Sequence, residues 1–377
     1  MKKKYIIFFI VTLVLLVALI TSFNYFKTTN AYIDDSVNNQ TKITKGISMN
    51  LEQTAGAGDY KTVTRSSWPT EGYKFNAELS RCENGSTLSW DDTKKAVIVS
   101  GNLSDKCYVY FDIYQPTLAE YIKSQYTGTQ GENSLYYHNS SLTNGAGDNS
   151  YRYAGASDSV NNYICLGSDE ATCPDANLFR IIGVFGDKTK VIRAKSVGDK
   201  KWSTSDDNTW SSSSLNTYLN GEYLTSLGTL ADKIATTTWK VGGVTYENIV
   251  TSVPKTAYQY EVGSSASTTT VNKKIGLMYV SDYGFAADQS AWTTELGSYN
   301  SNTSKNWLYL RHTEWTISRR SDISDNSNLA FSVNYAGHVG HNYVGNGYGV
   351  RPSFNLLSST TYVSGSGSMS DPVRVTD

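Results

Sequence analysis

At 377 residues the chain has room for two domains and a sizeable core in at least one. A formal net charge of −1 with 18% charged side chains excludes a general polyanion binder, nucleic acid included. The 28 Tyr and 8 Trp, against 6 Pro, supply amphipathic rings of the kind found in secreted β-rich proteins and binding surfaces.

Lys2, Lys3 and Lys4 precede an apolar run from Tyr5 to Ile20 whose one polar member is Thr12, and the run fades through Phe26 to Lys27. About 22 residues make roughly 33 Å of helix, enough to cross a bilayer. Lysines ahead of the run and a polar segment after it place the N-terminus inside and the bulk outside. A cleaved signal peptide shares the charged start and apolar centre. Thr29-Asn30-Ala31 is a poor cleavage site, so length favours an uncleaved anchor over residues 1–27, held in the cytoplasmic membrane through residues 5–26. Either way the remainder is exported. Residues 28–71 are rich in Thr, Asn, Ser and Gly, with Gly56-Ala57-Gly58 at their middle, and read as a flexible stalk with local strand structure left open as the alternative.

Residues 72–112 change character. Ala96–Val99 and Cys107–Phe111 are β-branched and aromatic runs that predict a small unit of three or four strands. Such a unit is too small for a strong core without a staple. Cys82, Cys107, Cys165 and Cys173 allow three pairings, of which nearest-neighbour pairing is the simplest. On a chain-entropy argument Cys82–Cys107 would contribute about 3.5 kcal/mol and Cys165–Cys173 about 2.6 kcal/mol. The spacing is not that of a zinc site.

Residues 113–377 form the larger domain. Thr117 with Glu120 is a capping box for a short helix. Leu178–Phe185 and Lys190–Ala194, separated by Gly186-Asp187, predict a hairpin. Leu215, Tyr218, Leu219 and Tyr223 carry helical spacing. Ile275–Val280 reads as a buried strand running into Ser281-Asp282-Tyr283-Gly284. Three C-terminal segments then read as one small sheet: Asn306–Arg311, a hairpin over Ala330–Val344 broken at Gly337 and Gly340, and Tyr348–Leu356. Tyr362-Val363 and Val373–Val375 are candidates to close it.

Several side chains in this region bear on chemistry. Arg311 and Arg351 stand in apolar surroundings and read as structural locks needing carboxylate partners, with Glu314 and Asp282 as candidates. His338 and His341 lie three apart, on opposite faces of a strand, so one metal would need a tight turn and further ligands such as Asp322 or Asp325. Asp206-Asp207 beside Trp202 and Trp210 resembles a sugar subsite in composition, but adjacent carboxylates seldom face each other across a bond, and a solvated helix flank explains them equally. Trp292, Trp307, Tyr309 and Trp315 are candidate rings beside the sheet. Core packing suits Trp307, and Trp315 is the preferred surface ring.

The chain order of hairpin, Tyr218-Leu219-Asn220, Ser281-Asp282-Tyr283-Gly284, Asn306–Arg311 and Gly349-Val350-Arg351-Pro352 resembles uncharacterised exported proteins of gut Firmicutes and Mollicutes-like bacteria. Their C-terminal domain is similar to the formylglycine-generating-enzyme branch of the C-type-lectin-like fold. The resemblance covers residues 72–377. It implies an α+β fold of mixed, mostly antiparallel sheets with a few short helices. The oxidase chemistry of that branch needs reactive cysteines, and none follows Cys173. The calcium signature of C-type lectins is also missing, since Gln115-Pro116 is followed by Thr117. The expectation is a membrane-anchored surface protein that binds an extracellular glycan or protein without a cofactor or metal. Trp315, Arg319, His338 and His341 are its candidate ligand contacts, and Arg311, Arg351 and Glu314 its structural groups. The alternatives are a cell-wall or glycan-processing enzyme on the same fold and a structural, pilus-like subunit. Against the last, no Gly-Phe prepilin cleavage point precedes the apolar run.

Overall fold

The structure is a computed structural model describing residues 46–69, 72–102, 105–322 and 328–376. The expected anchor (residues 1–27) and the stalk up to residue 45 lie outside the described residues. Among the described residues no helix is long and apolar enough to cross a membrane. The chain divides into two compact units, Met1–Gln115 and Pro116–Asp377.

The first unit is built on a four-stranded sheet in the order Tyr60–Val63, Ile47–Glu52, Cys107–Ile113, Tyr73–Cys82. Ile47–Glu52 runs parallel to Cys107–Ile113, and the other two pairings are antiparallel. Thr87–Asp91 and Ala96–Ser100 form a separate hairpin. The stalk reading fails over residues 47–63. Ile47-Ser48-Met49-Asn50-Leu51 alternates with period two, so Met49 and Leu51 reach one face and pack with Val109, Phe111 and Trp68. That alternation outweighs the Thr- and Asn-rich composition around it. Cys82 stands directly opposite Cys107 in the register, and the two form a disulfide.

The second unit carries two larger sheets. One runs Ile275–Gly276, Ser353–Asn355, Lys188–Arg193, Leu178–Phe185, Tyr151–Tyr153, Leu135–Tyr137, with Tyr163–Cys165 also paired to Leu178–Phe185. All its pairings are antiparallel. The central Leu178–Phe185 strand is buried along nearly its whole length, as an apolar run covered on both faces must be. The predicted hairpin holds, with Gly186 in the left-handed region at φ 67° where its tight turn requires it. The other sheet runs Asp199–Lys201, Gly347–Gly349, Glu314–Arg319, Leu329–Val333, Val339–Tyr343.

Thr117 and Glu120 form the expected capping box of the Leu118–Ser124 helix. Ser213 caps the Ser214–Tyr218 helix, which widens into a π turn over Leu219–Tyr223. That turn brings Asn220 to the backbone of Ile275, where its side chain both donates, at 2.8 Å, and accepts, at 3.0 Å. The helix thereby fixes the edge strand of the first of these sheets.

The C-terminal segments are not one sheet. Leu329–Val333 and Val339–Tyr343 make the expected hairpin, but Ser353–Asn355 crosses to the other sheet and pairs with Lys188–Arg193. Asn306–Arg311 is no strand: Trp307 and Leu308 are buried from an irregular turn, and Arg311 adopts φ 57°. Tyr362–Ser364 and Arg374–Val375 pair with each other and close neither sheet. Likewise Ile275–Gly276 is the whole of its strand, and Val280 already begins the Val280–Phe285 helix. Cys165–Cys173 is the second disulfide, so both cysteine pairs are nearest neighbours.

Candidate functional site

The chemistry concentrates where the Lys188–Arg193 strand passes the start of the Val280–Phe285 helix. Lys190 extends from a strand whose neighbours Val191 and Ile192 are core, so its ammonium is carried inward with only 5% of the residue exposed. It donates Nζ to Asp282 Oδ2 at 2.5 Å. Asp282 folds back on its own helix and accepts the Tyr279 N–H at 2.8 Å. Arg152 approaches the second carboxylate oxygen, with Nη1 3.6 Å from Oδ1. It also donates Nη2 to Asp148 at 2.7 Å and Nε to Ser150 Oγ at 2.8 Å. Two cations and two carboxylates thus balance in one partly desolvated cluster, as buried charges must.

Aromatic rings wall the cluster. Lys190 Nζ lies 4.8 Å from the Tyr279 ring centroid, 5.4 Å from Trp239 and 5.8 Å from Phe185. Arg152 stacks near Phe185 at 4.6 Å and Tyr258 at 5.2 Å. Trp239 is fixed by its Nε1 donating to Lys273 O at 3.1 Å, and Tyr279 by a hydroxyl that accepts Lys240 N and donates to Lys240 O. Gly276 is required behind Trp239, since a Cβ there would stand 2.9 Å from the indole. Together with Thr238 and Asn355 at the rim, these side chains enclose a cavity of about 160 Å³.

Electrostatics follow from burial and pairing. Burial pushes the Asp148 carboxyl up, but the Arg152 charge and hydrogen bonds from Ser150 and Arg152 outweigh it and hold the group well below the usual carboxylate range. Burial raises the phenols of Tyr258 and Tyr279, so both remain neutral hydroxyls. Behind the site, Glu261 is fully buried and its carboxyl is pushed up by desolvation, while it accepts from Val280 N, Ser281 N and Ser318 Oγ. It orients the Val280–Phe285 helix from which Asp282 projects. The buried Ser281 hydroxyl lies on that same side and joins the hydrogen bonds that act against the desolvation of Glu261.

Larger hollows of about 470 and 330 Å³ flank the loop closed by Cys165–Cys173. Neither is lined by a buried charged side chain, so size and chemistry point to different places and chemistry decides for the smaller cavity.

The residues expected to touch ligand are placed elsewhere. Trp315 is buried, not a surface ring: it lies in the centre of the second sheet, 1% exposed, and donates Nε1 to Lys200 O at 3.0 Å. Arg319 ties two loops by donating to Val241 O and Gly242 O in one and to Asn208 Oδ1 in the other. His338 belongs to the hairpin turn. His341 sits in the edge strand, where Arg320 Nη1 donates to its Nε2 at 3.1 Å, and desolvation, followed by that charge, lowers its pKa. The ring is therefore the neutral Nδ1–H tautomer. Trp202, Trp210, Trp292 and Trp307 are all core. Asp206 accepts from the Tyr343 hydroxyl of the distant edge strand and Asp207 accepts from the Thr209 N–H in its own turn, so the two serve separate structural contacts. Asp325 lies outside the described residues. Among the described residues the one cluster with metal-ligand composition is Cys82, Asp105 and Cys107, whose sulfurs are joined to each other.

Of the structural group, Arg351 and Glu314 form a fully buried two-pronged pair, with Nε–Oε2 at 2.7 Å and Nη2–Oε1 at 2.5 Å. Asp282, the other candidate partner, pairs with Lys190 instead. Arg311 is exposed and locks nothing under the sheet, because its left-handed turn directs it outward.

The described residues define a two-unit, mostly antiparallel α+β protein with one disulfide in each unit. Residues 186–358 match the model of a family described as a domain of unknown function, DUF6273. The match takes in Lys190, Trp239, Tyr279 and Asp282, whereas Asp148 and Arg152 precede it. No curated protein and no solved structure matches the chain.

Proposed function

We propose that the protein is an exported, membrane-anchored surface protein that binds a glycan in the Lys190–Asp282 cavity of its second unit, on a C-type-lectin-like frame. The observation that carries the reading is the cavity itself: aromatic walls from Trp239, Tyr279 and Phe185 around polar groups held rigidly at its base. Rings of that kind cover the apolar face of a sugar, while fixed polar groups select its oxygens. Export is supported by two disulfides, which persist in oxidising surroundings. It is supported too by the lysine-flanked apolar run at the N-terminus. The mostly antiparallel sheets with few short helices are in keeping with the lectin-like frame.

The test is a glycan array probed with the full-length chain in detergent micelles, beside a Thr238→Trp variant. Thr238 is an exposed strand residue at the cavity rim, so the larger ring suits the strand and fills the mouth. Wild-type protein is expected to bind a subset of glycans and the variant none of them. Equal binding by both removes the cavity from the function.

A further inference from the structure

We infer that the group seated in the cavity is the acetamido group of an N-acetylated hexosamine; this rests on the glycan reading above. The first reason is size. At about 160 Å³ the cavity is well below the roughly 300–1,000 Å³ of sites that enclose whole drug-sized ligands, so it takes one small group and leaves the rest of the glycan outside.

The second reason is the hydrogen-bond balance. An ammonium has three donors, and among the described residues Asp282 takes one of those on Lys190. The carboxylate charges are already matched: Asp282 accepts from Lys190 and the Tyr279 amide and faces Arg152 as an ion pair at 3.6 Å, and Asp148 accepts from Arg152 and Ser150. The site therefore holds spare donors on Lys190 and no carboxylate without a cation, and it is complementary to an acceptor oxygen. A ligand amine would find no free counter-charge. A ligand carboxylate would unbalance a set in which Arg152 and Lys190 already match Asp148 and Asp282, inside walls of low polarity. A neutral carbonyl meets neither obstacle.

The walls complete the match. A methyl group beside that carbonyl packs on Trp239, Tyr279 and Phe185 without leaving a polar atom unpaired. At the rim Asn355 donates Nδ2 to Thr237 Oγ1 at 3.0 Å and keeps its carbonyl oxygen for an amide N–H. Carbonyl, methyl and amide N–H in that arrangement are an acetamido group.

The experiment is calorimetric titration of the full-length chain in detergent micelles with three β-1,4-linked trisaccharides: that of N-acetylglucosamine, that of glucosamine and that of glucose. The N-acetylated sugar is expected to bind roughly tenfold tighter than either of the others, the effect of one or two net hydrogen bonds. Thr238→Trp is expected to abolish the binding. Equal affinity for the N-acetylglucosamine and glucose sugars, with both lost in Thr238→Trp, overturns the acetamido assignment and keeps the glycan reading. Binding of no sugar by wild type, or undiminished binding by Thr238→Trp, overturns both.

Discussion

Replacing Arg351 by Met deletes a guanidinium that donates twice to Glu314 and once, at 2.6 Å, to Leu308 O. Both side chains of the pair are at most 2% exposed, so solvent neither screens them nor replaces the lost partner. A carboxylate left alone in such a place costs about 3–5 kcal/mol. For a domain of this size each kcal/mol lowers the melting temperature by about 2–4 °C, giving a fall of roughly 6–20 °C in the transition of the second unit. Glu314→Leu strands the guanidinium instead and is expected to cost a similar amount. The double variant removes both charges and is expected to recover at least about 2 kcal/mol relative to the sum of the singles. Thermal and urea denaturation of the four proteins, followed by tryptophan fluorescence, measures the cycle. A loss below about 1 kcal/mol in Arg351→Met, or strict additivity in the double variant, would refute the pair as a lock.

His138 is fully buried against Phe285 and Trp292, and desolvation, with the Arg152 charge second, holds its pKa well below 6.5. The unfolded chain takes up this proton first, so its contribution is complete above about pH 6.5 and declines by up to about 1.4 kcal/mol per unit below it. Urea unfolding at pH 7 and pH 5.5 should show that decline, and His138→Asn should flatten it. Asp148 adds a second decline below about pH 4, because its folded pKa is depressed. Cys165→Ser with Cys173→Ser should cost about 2.6 kcal/mol and Cys82→Ser with Cys107→Ser about 3.5 kcal/mol, read from denaturation of each unit's own transition. Gly276→Ala places a methyl against the Trp239 indole and is expected to cost about 1–3 kcal/mol and to weaken glycan binding. A Gly276→Ala protein that binds as wild type would remove Trp239 from the cavity wall. Mass spectrometry of the mature chain should recover residues 1–27, and their loss would replace the anchor by a cleaved signal.

Much of the local structure was legible without coordinates because its causes are local. A capping box needs only Thr117 and Glu120, and a tight turn needs only Gly186-Asp187 between two apolar runs. The hairpin over residues 329–343 and both disulfides also join near neighbours in the chain. The stalk reading failed where composition was allowed to outweigh the alternation of Ile47–Leu51.

The candidate site was not legible in the same way. Lys190 stands 92 residues from Asp282, and a lysine in a strand reads as a solvated side chain unless its covering is known. Periodicity reports that a face is buried, not what buries it, so Trp315 read as a surface ring and proved to be core. By itself, then, the sequence determined the hairpins and the capped helices, whose energies depend on residues a few places apart, and left three cysteine pairings open. Only the tertiary structure decided that Ser353–Asn355 leaves the C-terminal hairpin for the other sheet, bringing Asn355 opposite Lys190. It decided equally that Arg351 takes Glu314 while Asp282 takes Lys190. Those choices belong to long-range closure, where each buried charge must find a partner wherever the packed sheets deliver one.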